Sequence, residues 1–507
     1  MVPPAAADAE HFRTDHLVQR LGDRAVSGGL VTAVAQATKL LLHLASAAVL
    51  ARLLSPEEFG LVGMVLGVTA LLGLFKEAGL STATIQRETI TQAQVSNLFW
   101  INIALSGLTG LVTIALAPAV AWFYRDARLT AIMLALSVTF LLTGSTVQHQ
   151  ALLIRQMRFT AIAIIEVASL LAGIVTGCCL ALLGWAYWSL VGQQVCMAGT
   201  AFVLTWWTSG WRPTRPQRGS GLAPLVRFGA HLTVSDLVAR VAVASDTILV
   251  GRVFGAESLG LYSRASALLA RPLEQLLAPL SAILIPVLSR LQSDQERYRR
   301  TFVRAYDTLA LVAFPFAAIC LVLAEPLVLV VLGPKWKGVV PLFAGFTLVA
   351  LSLPLSIPAS CLFMSQGRGR DLLHTYTLLS LVTIAAFVVG LAWGPLGVVL
   401  ALAVSSLMIR LPILYYLAGR RGPVRTADLW KGFVAHLPCW GAVYAATALA
   451  HGMLGAAPPL MQVLVCAPAG LAGGAVAVLV LERPRTSAFY AWRTVRHSLA
   501  RQWSGAA

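Results

Sequence analysis

Long apolar runs, each about as long as a bilayer is thick and separated by short basic loops, constrain this chain more than any motif in it. Counting them gives about fourteen spans: 27–50, 60–83, 94–118, 128–148, 160–183, 186–208, 225–250, 260–288, 303–327, 337–363, 372–392, 395–417, 432–453 and 461–481. A helical bilayer crossing needs roughly 20 apolar residues. Backbone amides find no water in hydrocarbon, so each run must satisfy its own hydrogen bonds and is predicted to be helical. A β-barrel would need alternating strands of about ten residues, and the sequence has none. Only 12% of the 507 residues are charged and mean hydropathy is +0.78. A soluble chain of this length carries roughly twice that charge. The expected fold class is all-α, a polytopic membrane protein of about 14 transmembrane helices.

A net charge of +17 suggests nucleic acid until its distribution is read. With the N-terminus in the cytoplasm, 26 Lys and Arg fall in cytoplasmic loops and termini, 6 fall outside and six lie within spans. Every alternate loop follows the positive-inside rule, so both termini are expected in the cytoplasm and nucleic acid is not expected as a partner. Cys178, Cys179, Cys196, Cys320, Cys361, Cys439 and Cys466 all lie in apolar spans. They show neither a disulfide framework nor metal-ligand spacing, so no metal and no cofactor is expected. Ala45-Ser46-Ala47 looks like a signal cleavage site, but a long polar stretch precedes the apolar run.

The chain also repeats itself at an offset of 200. Residues 51–61 read ARLLSPEEFGL and residues 251–261 read GRVFGAESLGL, with Arg52, Glu57, Gly60 and Leu61 matched by Arg252, Glu257, Gly260 and Leu261. Each copy lies between the first and second helix of a six-helix lobe. Six is even, so the two pseudo-symmetric lobes share one orientation and are related by an axis along the membrane normal. Ser55-Pro56-Glu57-Glu58 reads locally as a capping box with proline in the first helical position. The expected organisation is a cytoplasmic segment 1–26, an N-lobe 27–208, a Pro-, Gly- and Arg-rich cytoplasmic linker 209–224 and a C-lobe 225–418. Helices 13 and 14 follow over 419–481, then a basic cytoplasmic tail 482–507. In that tail Phe489, Trp492, Leu499 and Trp503 share a helical face, which fits an interfacial amphipathic helix; a disordered basic tail fits equally.

Three segments, ARLLSPEEFGLVGM with GLSTATIQ (51–64, 79–86), FGAHLTVSDLVARVAVASDTILVGRVFGAESLGLYSRA (228–265) and LGPKW (332–336), give the chain a family look. From about residue 27 to 420 it resembles the polysaccharide transporters of the multidrug/oligosaccharidyl-lipid/polysaccharide exporter superfamily, in the Wzx-type branch of capsule and colanic-acid-like exporters. The resemblance implies two six-helix bundles in a V, alternating access to a central cavity in the bacterial inner membrane. The implied substrate is an undecaprenyl-diphosphate-linked oligosaccharide, a polyprenyl-diphosphate lipid moved from the cytoplasmic to the periplasmic leaflet. Polysaccharide polymerase and glycosyltransferases are the implied partners, and a monomer is expected. Two helices after the twelfth also resemble this superfamily, where they can form a lipid-facing groove.

Carrying a sugar diphosphate through hydrocarbon uncompensated costs on the order of tens of kcal/mol. A flippase therefore needs cations at membrane depth, where they are costly and mark function by default. Lys39 lies mid-depth in the first helix with His43 one turn on, Arg240 in the seventh, and Arg264 and Arg271 on one face of the eighth. These four are the candidate substrate-binding residues of a cationic cavity; across the pseudo-axis Lys39 is expected to approach the face bearing Arg264 and Arg271. Lys76 and Arg410 sit near cytoplasmic ends and can snorkel.

A purely structural reading competes. Asp236 precedes Arg240 by four residues and Glu274 follows Arg271 by three, spacings that allow intrahelical pairs. Asp246 and Glu274 are candidates for ion coupling or for packing. Pro272, Pro279 and Pro286 in the eighth helix mark either a permanent bend or a hinge.

No catalytic residue is expected. Two other functions remain in view: a drug/cation antiporter of the same superfamily, which would want an acidic cavity, and a membrane-embedded polymerase or ligase. The enzyme would need a sizeable outside loop bearing catalytic groups, and no such loop is present. A flippase for the peptidoglycan precursor is separable only by its substrate.

Overall fold

The computed structural model describes residues 21–73, 81, 84–85, 90–217, 223–455 and 457–489. Among these the chain is almost entirely helical and contains no β-strand. Helices overlap all fourteen apolar runs, and nine helical stretches among the described residues are long and apolar enough to cross a membrane. Their outer faces carry isolated large apolar side chains: Trp122, Leu182, Trp207 and Met453 are 72–87% exposed. In water each would forgo roughly 25 cal/mol per Å² of apolar area, a loss that lipid removes. The protein is a multi-pass, all-α membrane protein. All seven cysteines are unbridged.

Contacts along the chain form two compact units, Met1–Gly260 and Leu261–Ala507. The first holds α1 (Leu21–Leu53), α2 (Pro56–Leu72), α3 (Gln92–Tyr124), α4 (Arg128–Gly144), α5 (Val147–Arg155), α6 (Phe159–Leu182), α7 (Trp188–Ser209) and the front of α8 (Ala223–Arg290). Long α8 comprises two helices joined at Gly255, whose φ of 81° and ψ of −177° are accessible in practice to glycine alone. That break separates the seventh and eighth apolar runs.

The two copies of the repeat turn at the same place by different chemistry. Ser55, the counterpart of Gly255, caps α2: its amide donates to Glu58 Oε2 at 2.6 Å, and its hydroxyl accepts from the Glu58 amide at 3.4 Å. The capping box read from four consecutive residues is thus present.

The copies also touch. A methyl group at Gly60 would stand 1.7 Å from the Ala256 carbonyl oxygen, and one at Gly260 would stand 1.8 Å from the Pro56 carbonyl oxygen. Position 60 therefore meets 256 while 260 meets 56, as a two-fold relation between the copies requires. Further along, Thr247 lies against Gly67 and Leu259 against Gly63. This packing of the front of α8 on α2 explains why the first unit ends inside α8 and not at the linker.

Half of that linker is fixed in place. Buried Trp211 donates its indole N–H to Gln92 Oε1, and the Gln92 amide donates to the Arg212 carbonyl at 2.9 Å. Asn97 bonds both ways with the Gln217 backbone, at 2.6 and 2.9 Å. Residues 211–217 thus lie strapped along the first turns of α3.

The second unit continues from the back of α8 through α9 (Gln295–Val322), α10 (Ala324–Val331), α11 (Val339–Ala350), α12 (Leu353–Ser365), α13 (Gly369–Gly390), α14 (Gly394–Ser405), α15 (Leu411–Gly419), α16 (Thr426–Met453) and α17 (Pro459–Val480). A π turn over Ser406–Arg410 joins α14 to α15. Its core is aromatic: Tyr298, Phe302 and Tyr306 of α9 pack with Phe363 and Tyr415. The buried hydroxyls find partners, Tyr298 with Ser365 at 2.6 Å and Tyr306 with Tyr415 at 2.5 Å. Trp336 of LGPKW is fully buried within a single 3-10 turn.

One ion pair locks three elements of this unit. Arg483, just past α17, donates to both oxygens of buried Asp307 on α9 at 3.0 and 3.1 Å, and His436 of α16 lies 3.9 Å from the same carboxylate. Removing one partner of such a pair leaves a buried charge uncompensated, at about 3 kcal/mol. Arg483→Ala is therefore expected to lower the unfolding midpoint in detergent clearly, and Asp307→Asn/Arg483→Ala together to lower it less. Equal losses in the two would contradict a stranded carboxylate.

Candidate transport site

The structure places the sequence-derived cations in different settings. Lys39 on α1 is largely covered, and its ammonium lies 2.6 Å from Glu166 Oε2 on α6. Glu166 is 45% exposed, so the pair sits at the margin of the helix packing. From sequence Lys39 had no obvious local partner; the partner comes from a helix 127 positions away. His43, one turn further on, is half-buried.

Arg264, in the second unit, is half-buried on the back of α8. Arg240, Arg271, Glu274 and Pro279 also lie on α8, but their side chains fall outside the described residues, as do Lys76 and the tail positions Trp492, Leu499 and Trp503. The helix continues without interruption past Pro272 and Pro286, the first half-buried and the second exposed.

Asp246 is engaged locally. Its Oδ1 accepts from the backbone N–H and the hydroxyl of Thr247, the residue that packs on Gly67 of α2. Between ion coupling and packing, this geometry supplies the partners that packing needs.

The repeat acids differ between copies. Glu57 receives the Arg128 guanidinium at 2.7 Å, and Arg128 also pairs with Asp126 at 2.7 Å. That guanidinium beside Asp126, in the turn between α3 and α4, holds its carboxyl below the usual carboxylate range. Glu257 is exposed, and Arg252 stacks over the Phe123 ring at 5.4 Å. Glu57 in one copy and Arg252 in the other thus each meet a side chain from the α3–α4 region, Arg128 and Phe123.

Sequence reasoning missed two features. Arg410, whose place near a span end allows snorkelling, is half-buried on the π turn and donates to Ser406 Oγ at 2.9 Å. π turns within helices recur at functional sites. The second is a basic cavity of about 880 Å³ in the second unit, whose basic lining residues also serve as orientation signals in the sequence.

With this geometry in view, the chain can be set beside known proteins. The family model described as "Polysaccharide biosynthesis protein" matches residues 49–341. The lipopolysaccharide biosynthesis protein WzxC of Escherichia coli (strain K12) is 24% identical over 442 residues, which is 86% of this chain and 90% of WzxC. The succinoglycan biosynthesis transport protein ExoT of Rhizobium meliloti (strain 1021) is 26% identical over 352 residues, 69% of this chain and 70% of ExoT. Among solved structures, the lipid II flippase MurJ in an inward closed conformation superposes with a TM-score of 0.69 at 14% identity, covering 90% of this chain and 99% of MurJ. At that identity the superposition speaks for the fold alone. More than half of the chain fits the family model, and the WzxC similarity runs nearly end to end, so the chain belongs to the polysaccharide biosynthesis protein family as a Wzx-type exporter.

Proposed function

We propose that this protein flips a polyprenyl-diphosphate-linked oligosaccharide across the bacterial inner membrane, cytoplasmic to periplasmic leaflet, by alternating access. The observation that carries this reading is the similarity to WzxC, which spans 90% of that protein. The MurJ-like fold and the transport named for ExoT support it. ExoT is named as a transport protein and MurJ as a flippase, which speaks against an enzyme. No described feature favours a drug/cation antiporter: Glu166 and Asp246 already have partners.

In this proposal Lys39 and Arg264, with Arg240 and Arg271, supply the charge that accompanies the diphosphate. Pro272, Pro279 and Pro286 bend α8 and serve as its hinge. The loop charges put both termini in the cytoplasm. The protein acts as a monomer and hands its product to a polysaccharide polymerase. One elementary charge crossing 100 mV is worth about 2.3 kcal/mol, so outward movement of a diphosphate is favoured by an inside-negative potential.

The test uses proteoliposomes loaded with a fluorescent polyprenyl-diphosphate oligosaccharide and a lectin added on one side. Protein-dependent exposure of the sugar that quickens when the potential is imposed is the expected result. No exposure, together with uptake of cationic dyes, would replace the proposal with the antiporter. Single cysteines at 212–217 and 420–427 are expected to label only from the cytoplasm, and those near 125 and 335 only from outside. Periplasmic labelling at 212–217 would overturn the orientation.

A further inference from the structure

The basic cavity lies among α9, α16 and the segment that follows α17, on the side that the loop charges assign to the cytoplasm. Arg299, Arg300, Arg304, Lys431, Arg483 and Arg485 line it, against three carboxylates. Each carboxylate is already engaged by an arginine. Asp428 accepts both N–H groups of Arg299, Asp307 holds Arg483, and Glu296 holds Arg300 at 3.3 Å. The lining therefore holds six basic side chains against three acidic ones and is net positive, and Arg304, Lys431 and Arg485 are all exposed.

The Asp307–Arg483 pair, which Ser487 also joins at 3.4 Å, fixes the segment after α17 to α9. Exposed Phe489 stands at the rim. One turn further along α9 and α16, beyond Asp307, a largely apolar slot of about 200 Å³ opens beside α17, lined by Leu311, Phe314, Val443, Leu471 and Val478 together with His436. A cationic chamber backed by an apolar slot on the same helices suits an amphiphile with an anionic head. Basic recesses between transmembrane helices at the cytoplasmic face are the usual seats of anionic lipid head groups.

We propose that this cavity binds the phosphate head group of an acidic membrane phospholipid, with the start of an acyl chain in the apolar slot. The site lies wholly within the second unit. Its occupancy would tie α9 and α16 to the membrane surface through Arg304, Lys431 and Arg485.

The experiment compares purified full-length protein in nanodiscs of phosphatidylglycerol mixed with phosphatidylcholine, or of phosphatidylcholine alone. It reads the thermal unfolding midpoint and the lipids retained by native mass spectrometry. Wild type is expected to retain phosphatidylglycerol and to unfold at higher temperature with it. Arg304→Gln/Lys431→Gln/Arg485→Gln should weaken retention roughly a hundredfold. The same three positions changed to the other basic residue should retain the lipid. Equal midpoints in the two lipids, or full retention by the triple Gln variant, would overturn the proposal. Displacement of phosphatidylglycerol by millimolar pyrophosphate would overturn the choice of a lipid over a free anion.

Discussion

Polymer export is expected to fall at least about tenfold when Lys39 is replaced by Ala, a loss of one charge-assisted contact to the diphosphate. The Glu166 pairing makes this experiment sharper than the sequence alone would allow. If Lys39 only neutralises Glu166, the exchange Lys39→Glu/Glu166→Lys preserves the pair and should restore both protein level and export. If Lys39 supplies charge to the substrate, the exchange moves the cation onto α6, and export should stay low while protein level recovers. Lys39→Arg should export well, because charge and position are both kept. Glu166→Ala should cost stability modestly, about 1 kcal/mol, since this carboxylate is 45% exposed and only partly dependent on its partner. Cell-surface polymer and membrane-protein abundance, measured on the same cells, separate these outcomes. Normal export by Lys39→Ala, or by the exchange, would remove Lys39 from the transport site.

The second large effect concerns the contact between the repeat copies. Gly60→Ala and Gly260→Ala each place a methyl group well inside van der Waals contact with a backbone carbonyl, 1.7 and 1.8 Å from its oxygen. A backbone cannot rotate aside as a side-chain tip can, so each substitution forces α2 and the front of α8 apart. Overpacking of this kind costs about 1–3 kcal/mol, and Leu at either site should cost more. The losses at 60 and 260 should be similar, because the two contacts mirror each other. Gly199 within α7 is the control: nothing lies within 4 Å of an added methyl there. Gly199→Ala should be neutral or stabilising by up to about 1 kcal/mol. Unfolding midpoints in detergent check the set. Gly60→Ala behaving like Gly199→Ala would mean that the helices do not approach as described.

What the sequence disclosed and what it hid divide by distance along the chain. The helices follow from apolar length, and the Ser55 cap from a spacing of three residues, because both are local. The repeat was legible from Arg52, Glu57, Gly60 and Leu61, yet nothing in it said that the copies meet through their glycines. Two matched glycines inside a helix's opening turn were the available signal. Lys39–Glu166 and Asp307–Arg483 join residues 127 and 176 positions apart. Such pairs depend on which helices are neighbours and on their rotation, which hydrophobic periodicity does not report in chains apolar on every face. The basic cavity was hidden for another reason. Its arginines also set orientation, and one explanation of a charge conceals a second. For Arg410, one turn of π helix turns a side chain expected to snorkel into one that is half-buried.

The crossed contact between positions 56 and 260 and between 60 and 256 has the pattern of an isologous interface, in which residue i meets j and j meets i. In a gene product one repeat long, the same surface would have met itself in a second copy, and one substitution would have been felt at both contacts. With both copies in one chain that coupling does not apply. Each half of the contact can now change alone, and the turn shows it: Ser55 and Pro56 on one side have become Gly255 and Ala256 on the other. The glycines have not diverged, since each still lies against a carbonyl that leaves no room for a side chain. At 60 and 260 a single chain thus carries the contact pattern of a two-fold interface.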